Sequence, residues 1–237
     1  MALLELDQVT VRFGGVAALD GVSLTADAGQ VVGLIGPNGA GKTTLLDVVT
    51  GLWPQPRGIV RFDGRDLAGS APSRRGRAGI GRTFQRPGTF GSMTVRDNVL
   101  VASEIHQGLG GLLRRGNARA RADELLERVG IAAHGELPAG ALPAGAAHLL
   151  EIARALAAEP RLLLLDEPSS GMDEFEAGKL TGLLRQLAAE GRAVLVAAHD
   201  TGPLSGACDE LHVLRLGAVV AAGTPAELHA DLQELPR

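Results

Sequence analysis

Residues 31–44 read Val31-Val32-Gly33-Leu34-Ile35-Gly36-Pro37-Asn38-Gly39-Ala40-Gly41-Lys42-Thr43-Thr44, and this stretch decides the fold. Val31–Ile35 is a continuous apolar run, the pattern of a strand buried on both faces of a parallel sheet. Gly36 to Thr43 then fits G-x-x-x-x-G-K-[ST], and the spacing predicts a helix over Thr43–Thr50. In that order, glycines let backbone N–H groups curl around phosphate oxygens, and the helix N-terminus adds partial positive charge. Lys42 would reach the outer phosphates of a nucleoside triphosphate, with the Thr43 hydroxyl a ligand for Mg2+. Gly36, Asn38, Gly39, Gly41 and Thr44 complete the candidate cradle. The only lysines are Lys42 and Lys179, so accidental matches number about 0.003 per chain of this composition. A dinucleotide-type G-x-G-x-x-G is absent, since the third place after Gly39-Ala40-Gly41 is Thr44.

Leu162–Leu165 is a second buried-strand run, and it emerges at Asp166-Glu167-Pro168. Four buried leucines would hold the two acids at a fixed distance from the phosphate loop. Asp166 is then placed to hold Mg2+ with its water ligands, and Glu167 to polarise an attacking water as general base. A third run, Ala193–Ala198, follows Gly191 and leads to His199.

Around these strands the periodicity changes. Leu4 and Leu6, then Val9, Val11 and Phe13, alternate with period two and slip one place at Asp7-Gln8. Val22, Leu24 and Ala26 repeat that period, and Ile59–Phe62, Asp63-Gly64 and Leu67 read as a hairpin. A small antiparallel sheet near the N-terminus is expected. Helices are predicted from a cap at Asn117 to a stop at Gly130, over about 146–158, and after Asp173. The class is therefore α/β, a single domain over 1–237. Segments 1–85 and 160–237 form its core and β lobe, and 86–159 a helical insertion. Eight arginines (Arg57, Arg61, Arg65, Arg74, Arg75, Arg77, Arg82 and Arg86) face only Asp63 and Asp66 over 57–86. They read as a solvated face, or as a surface turned toward anionic lipid head groups.

With 23 basic and 27 acidic residues the formal charge is −4, which gives no general pull toward nucleic acid. One cysteine, Cys208, excludes an internal disulfide and fits a reducing compartment. The first residues lack a basic leader region, and no apolar run approaches the ~20 residues of a membrane helix. A cytoplasmic chain that meets a membrane only through partners is expected.

The phosphate loop, the Asp166-Glu167 pair and the strand ending at His199 together resemble the ATP-binding cassette (ABC) ATPases, in that family's order and over nearly the whole chain. The resemblance implies a P-loop α/β core with parallel sheet, a small antiparallel β lobe and an inserted helical subdomain, working with ATP and Mg2+. It implies that Phe13 stacks on adenine and that Gln85, in Arg82-Thr83-Phe84-Gln85, senses Mg2+ and γ-phosphate and couples to a membrane subunit. His199 becomes the switch histidine, and Asp173, in Ser169-Ser170-Gly171-Met172-Asp173, the aspartate of an inter-subunit loop. Gly79–Gln85, Met93–Val101, Leu149–Leu156 and Leu162–Pro168 are similar to the ATP-binding subunits of branched-chain amino-acid importers. Such subunits pair, with a like or unlike second cassette, on the inner face of the membrane beneath two permeases fed by an external solute-binding protein. Urea or amide importers and the lipopolysaccharide-export ATPase share much of this pattern. A weakly hydrolysing soluble ABC switch, or an ABC ATPase acting on ribosomes or DNA, are the readings from other classes.

One segment departs from the pattern. Where this subfamily has Leu-Pro-Tyr-Gly-Gln, the chain reads Leu142-Pro143-Ala144-Gly145-Ala146. The glycine stands, and the aromatic and the glutamine are both alanine. Losing the glutamine's hydrogen bonding should impair the partner's ATP site by roughly 2- to 150-fold. A permease contact is expected near Gln85 and over 86–100, with Phe90, Met93, Val95 and Val99 supplying apolar groups.

Overall fold

The computed structural model describes residues 2–53, 57–84, 88–107, 115–199 and 202–231. Gln85 and Arg86 lie outside them. Strands β1 (Leu4–Phe13) and β2 (Val16–Ala26) pair antiparallel. The slip seen in the sequence is a bulge at Gln8, whose φ of 50° moves the register between Leu6 and Val9. With it, Leu4, Leu6, Val9 and Val11 all stay buried. β3 (Val31–Ile35) and α1 (Lys42–Thr50) follow, then β4 (Arg57–Phe62) and β5 (Arg65–Asp66). The first sheet has the order β2-β1-β4-β5, its hairpin turning at Asp63-Gly64 with both φ values positive.

The second sheet holds β6 (Ile80–Arg82), β7 (Leu162–Asp166), β8 (Ala193–Ala198), β9 (Glu210–Arg215) and β10 (Ala218–Gly223) in the order β10-β9-β3-β8-β7-β6. Its neighbours run parallel except at the β10 edge. Alternate residues of the central strands serve different cores. Val31, Ile35, Leu163, Leu165, Val194 and Val196 join the cluster that includes the helices, while Val32, Leu34, Leu162, Leu164 and Leu195 join the cluster under the small sheet. Two apolar faces per strand are why these runs show no polar alternation.

Between β6 and β7 the described residues are mainly helical: α3 (Val95–Gln107) and α4 (Arg115–Arg128), short 3-10 turns at Ala132–His134 and Ala139–Ala141, then α5 (Ala144–Leu156). A six-residue helix (Pro72–Arg77, α2) precedes β6, α6 (Glu174–Ala189) joins β7 to β8, and α7 (Pro225–Asp231) follows β10. Three expectations are corrected here. The α4 helix starts at Arg115, so Asn117 lies inside it instead of capping it. The α5 helix opens at Ala144, two residues early, because Pro143 supplies a preset φ at the cap position. Val95 and Val99 are fully buried in the helical core, leaving Phe90 exposed and Met93 half-buried as candidate contact groups.

The arginine-rich stretch is a fourth correction, since it is only partly a solvated face. Arg75 is buried and donates to the carbonyls of Val48 (2.7 Å), Val49 (2.9 Å), Leu67 (2.8 Å) and Ser70 (3.0 Å). Two of those carbonyls belong to the last turn of α1, where a cation meets the negative end of the helix dipole. The side chain thus pins the far end of the helix that starts at the phosphate loop. Arg75→Met, which removes four charge-assisted hydrogen bonds and leaves the Val48 and Leu67 carbonyls only their backbone donors, Gly51 and Ser70 N–H, is expected to cost about 3 kcal/mol or more of stability. Urea unfolding at unchanged slope is the measurement, and a midpoint equal to wild type would contradict it.

Candidate active site

The loop after β3 is shaped by close approaches that only glycine permits. A Cβ on Gly36 would stand 2.2 Å from the Leu214 carbonyl oxygen. One on Gly41, whose φ is 110°, would stand 2.5 Å from that of Ala18. Gly41 occupies the N-cap position of α1 and brings no side chain to its N–H groups, and the first turn holds no acidic residue. Donors and dipole are left for an anion. Lys42 is buried, and its Nζ donates to the carbonyls of Gly36 (2.6 Å) and Pro37 (3.2 Å), folding back over the loop. Burial lowers its pKa, against the opposing pull of Glu167 and Asp166.

A cavity of about 350 Å³ opens on this loop, lined by Asn38, Gly39, Lys42, Thr43, Thr44 and Glu167 among others. Asp166 ends β7 just behind it, 1% exposed, and its Oδ1 accepts from Thr43 Oγ1 at 3.3 Å. Burial raises the Asp166 pKa; Arg82 and the Thr43 hydrogen bond pull it back down. The next residue, Glu167, adopts a left-handed backbone (φ 50°), unusual for a residue with a Cβ. Its N–H bonds the Ala197 carbonyl at 2.9 Å, and His199 Nε2 lies 2.9 Å from its Oε1. The strained turn swings the glutamate away from the strand line and onto the mouth of the loop.

The other candidates take different places. Phe13 is half exposed and packs tilted on Trp53, ring centroids 4.3 Å apart, outside the cavity lining. Trp53 is a functional candidate that the sequence hides, because a lone Trp in a loop gives no signal. Asp173 caps α6: its Oδ1 accepts from Glu176 N (2.8 Å), while Glu176 Oε2 accepts from Asp173 N (3.2 Å). At the departed segment, Leu142 is half-buried and Pro143 and Ala144 are exposed at the uncapped start of α5. Gly145 is buried, with Met172 and Glu176 each 3.1 Å from where a Cβ would stand.

Ala146 turns inward. It lines a cavity of about 270 Å³ with Leu149, Leu180, Leu183 and Glu176. A longer side chain at 146 would extend into this cavity, beside Glu176 and Lys179. Ala146→Gln is expected to raise ATP turnover of the isolated protein by roughly 2- to 10-fold by restoring the hydrogen bonding that alanine lacks. A rate unchanged from wild type would make the alanine silent.

A mostly parallel sheet with a glycine-rich loop on its central strand, and two acids at the end of the strand beyond its neighbour β8, defines a nucleoside triphosphatase core. The chain belongs to the ABC transporter family, whose model matches residues 19–170. It is 38% identical to the high-affinity branched-chain amino acid transport ATP-binding protein BraF of Pseudomonas aeruginosa, over 95% of this chain and 93% of that one. It is 34% identical to the lipopolysaccharide export system ATP-binding protein LptB of Haemophilus influenzae, over 98% and 95%. An ABC transporter cassette solved in its ADP conformation superimposes with a TM-score of 0.86 at 31% identity, covering 100% of this chain and 96% of that one. The chain is an ABC-type ATPase that binds ATP.

Proposed function

We propose that the chain powers import of a branched-chain amino acid or related small polar solute, as one of two paired cassettes beneath two membrane permeases. The observation that carries the catalytic half is the convergence of Lys42, Thr43 and Glu167 on one cavity, with Asp166 and His199 one contact behind. Lys42 and the loop N–H groups hold the terminal phosphates. Glu167, its carboxylate oriented by His199, takes the proton of the attacking water. Thr43 Oγ1 and Asp166 Oδ1 are two hard oxygens beside the loop, a donor set that fits Mg2+, which takes few protein ligands and completes its shell from phosphates and water. Those two residues would hold the ion, which when bound neutralises charge on the phosphates. Gln85 enters as metal and γ-phosphate sensor on resemblance alone, and Phe13 with Trp53 as the adenine platform.

Segments 1–85 and 160–237 act as the nucleotide-binding core, and 86–159 as the helical lobe that meets the partners. A groove of about 330 Å³ beside β6, lined by Phe84, Phe90, Ile105 and Arg154 among others, supports a permease contact there. No helix among the described residues is long and apolar enough to cross a membrane, so attachment runs through the permeases, on the inner face. The exposed start of α5 faces a second cassette, whose regular signature segment would complete this chain's own site. Greater identity to the amino-acid transport protein than to the lipopolysaccharide export protein supports import, with export as the second reading. Membrane proteins co-purifying with the chain, reconstituted in liposomes, provide the test. ATP turnover stimulated by a leucine-loaded external binding protein is expected. Stimulation by lipopolysaccharide alone would favour export, and recovery of ribosomes or DNA in place of permeases would overturn both.

A further inference from the structure

Arg82 holds no assigned role, yet it is the most committed cation near the site. It ends β6, and its side chain is only 5% exposed. Nη1 donates to Asp47 of α1 and, at 3.2 Å, to Thr50 Oγ1; Nη2 lies 3.4 Å from Asp166 Oδ2. The guanidinium carbon sits 5.0 Å from the centre of the Phe84 ring. Asp166 therefore has its two oxygens on different partners, Oδ2 on Arg82 and Oδ1 on Thr43.

That division matters because the terminal torsion of a carboxylate is broad and two-fold. A lone contact to Thr43 leaves the group free to rotate. A second partner of different chemistry, fixed from the opposite oxygen, selects one orientation. Arg82 can do this because its planar fork meets two carboxylates at once and is braced against α1, the helix that begins at Lys42. A lysine would bring a point charge and reach one carboxylate well.

We propose that Arg82 is a positioning residue for the Mg2+ site: it holds Asp166 Oδ2 so that Oδ1 stands beside Thr43 ready for the ion. The proposal rests on the reading of Thr43 and Asp166 as Mg2+ ligands. Partners that orient metal ligands are commonly worth 10- to 100-fold in metal affinity.

The test reads binding, not turnover. A fluorescent ATP analogue (MANT-ATP) is titrated with Mg2+ against wild type, Arg82→Met, Arg82→Lys and Asp47→Asn, with melting temperatures measured without nucleotide. Arg82→Met should raise the half-saturating Mg2+ concentration about 10-fold or more. Arg82→Lys should fall between it and wild type. Asp47→Asn, which leaves Arg82 on Asp166, should shift it less than Arg82→Met. Binding of the analogue in EDTA, which draws on Lys42 and the loop, should be the same in all four. Should Arg82→Met fail to fold, the order wild type, Asp47→Asn, Arg82→Lys carries the test. Half-saturating Mg2+ identical across the variants, however far the melting temperatures fall, would overturn the proposal and leave Arg82 a purely structural ion pair. A wild-type protein whose binding ignores Mg2+ would instead overturn the assignment of Thr43 and Asp166.

Discussion

Lys42→Ala is expected to weaken ATP binding by about 100-fold, the largest effect on affinity of any single change at the loop. The ammonium is buried and now spends its hydrogen bonds on the Gly36 and Pro37 carbonyls. Those partners are exchangeable for phosphate oxygens, which carry full charge where carbonyls carry only partial charge. Hydrogen bonds between charged groups contribute about 1.5–3 kcal/mol each, so losing one or two removes about 3 kcal/mol, or two decades in Kd. Alanine also removes the positive charge that balances Glu167 and Asp166 at the loop, so like charges would repel an incoming triphosphate. Equilibrium binding of a fluorescent ATP analogue measures the loss, with a melting curve to confirm that the variant is folded. A Kd within threefold of wild type would mean that the loop does not bind phosphate through this lysine.

Glu167→Gln should act on the other step. The amide keeps the length and can keep a hydrogen bond to His199, but it cannot accept a proton from water. General-base contributions are typically 10²–10⁴-fold, so turnover should fall by about that range while ATP affinity stays near wild type. Single-turnover hydrolysis separates the two quantities. Turnover within a factor of two of wild type would remove Glu167 from the proton-accepting role. A fall in affinity as steep as the fall in turnover would instead point to collapse of the strained turn at φ 50°.

The parts of this fold that the sequence displayed are those where one physical demand dominates. Val31–Ile35, Leu162–Leu165 and Ala193–Ala198 had to be apolar throughout because both faces of the sheet are covered, and the glycines at 36 and 41 leave a pattern because neighbouring backbone forbids a Cβ. Elements with mixed demands were silent. β9 carries a buried histidine, His212, in mid-strand, β6 is three residues long, and α2 is built largely of arginine and glycine. Arg75 and Arg82 were hidden by their own type, since a buried arginine and a solvated one are the same letter. Ala146 read as a missing surface group until its neighbours, Leu149, Leu180 and Leu183, fixed the side it faces.

The order of strands also governs how the protein comes into being. β3, which carries the loop, lies between β8 and β9: Val31 pairs with Val194 and Val32 with Glu210. The loop itself is braced by late residues, Gly36 N–H bonding the Ala198 carbonyl and Gly217 N–H that of Ala40. A chain emerging from the ribosome therefore exposes its phosphate-binding sequence early and can shape it only after nearly all the rest has been made. Such long-range closure is slow, and the uncovered β3 and β7 runs are sticky while they wait. ATP, recognising only the finished lattice, would draw the newborn chain toward completion by mass action and protect it from aggregation and proteolysis before it ever meets its partners.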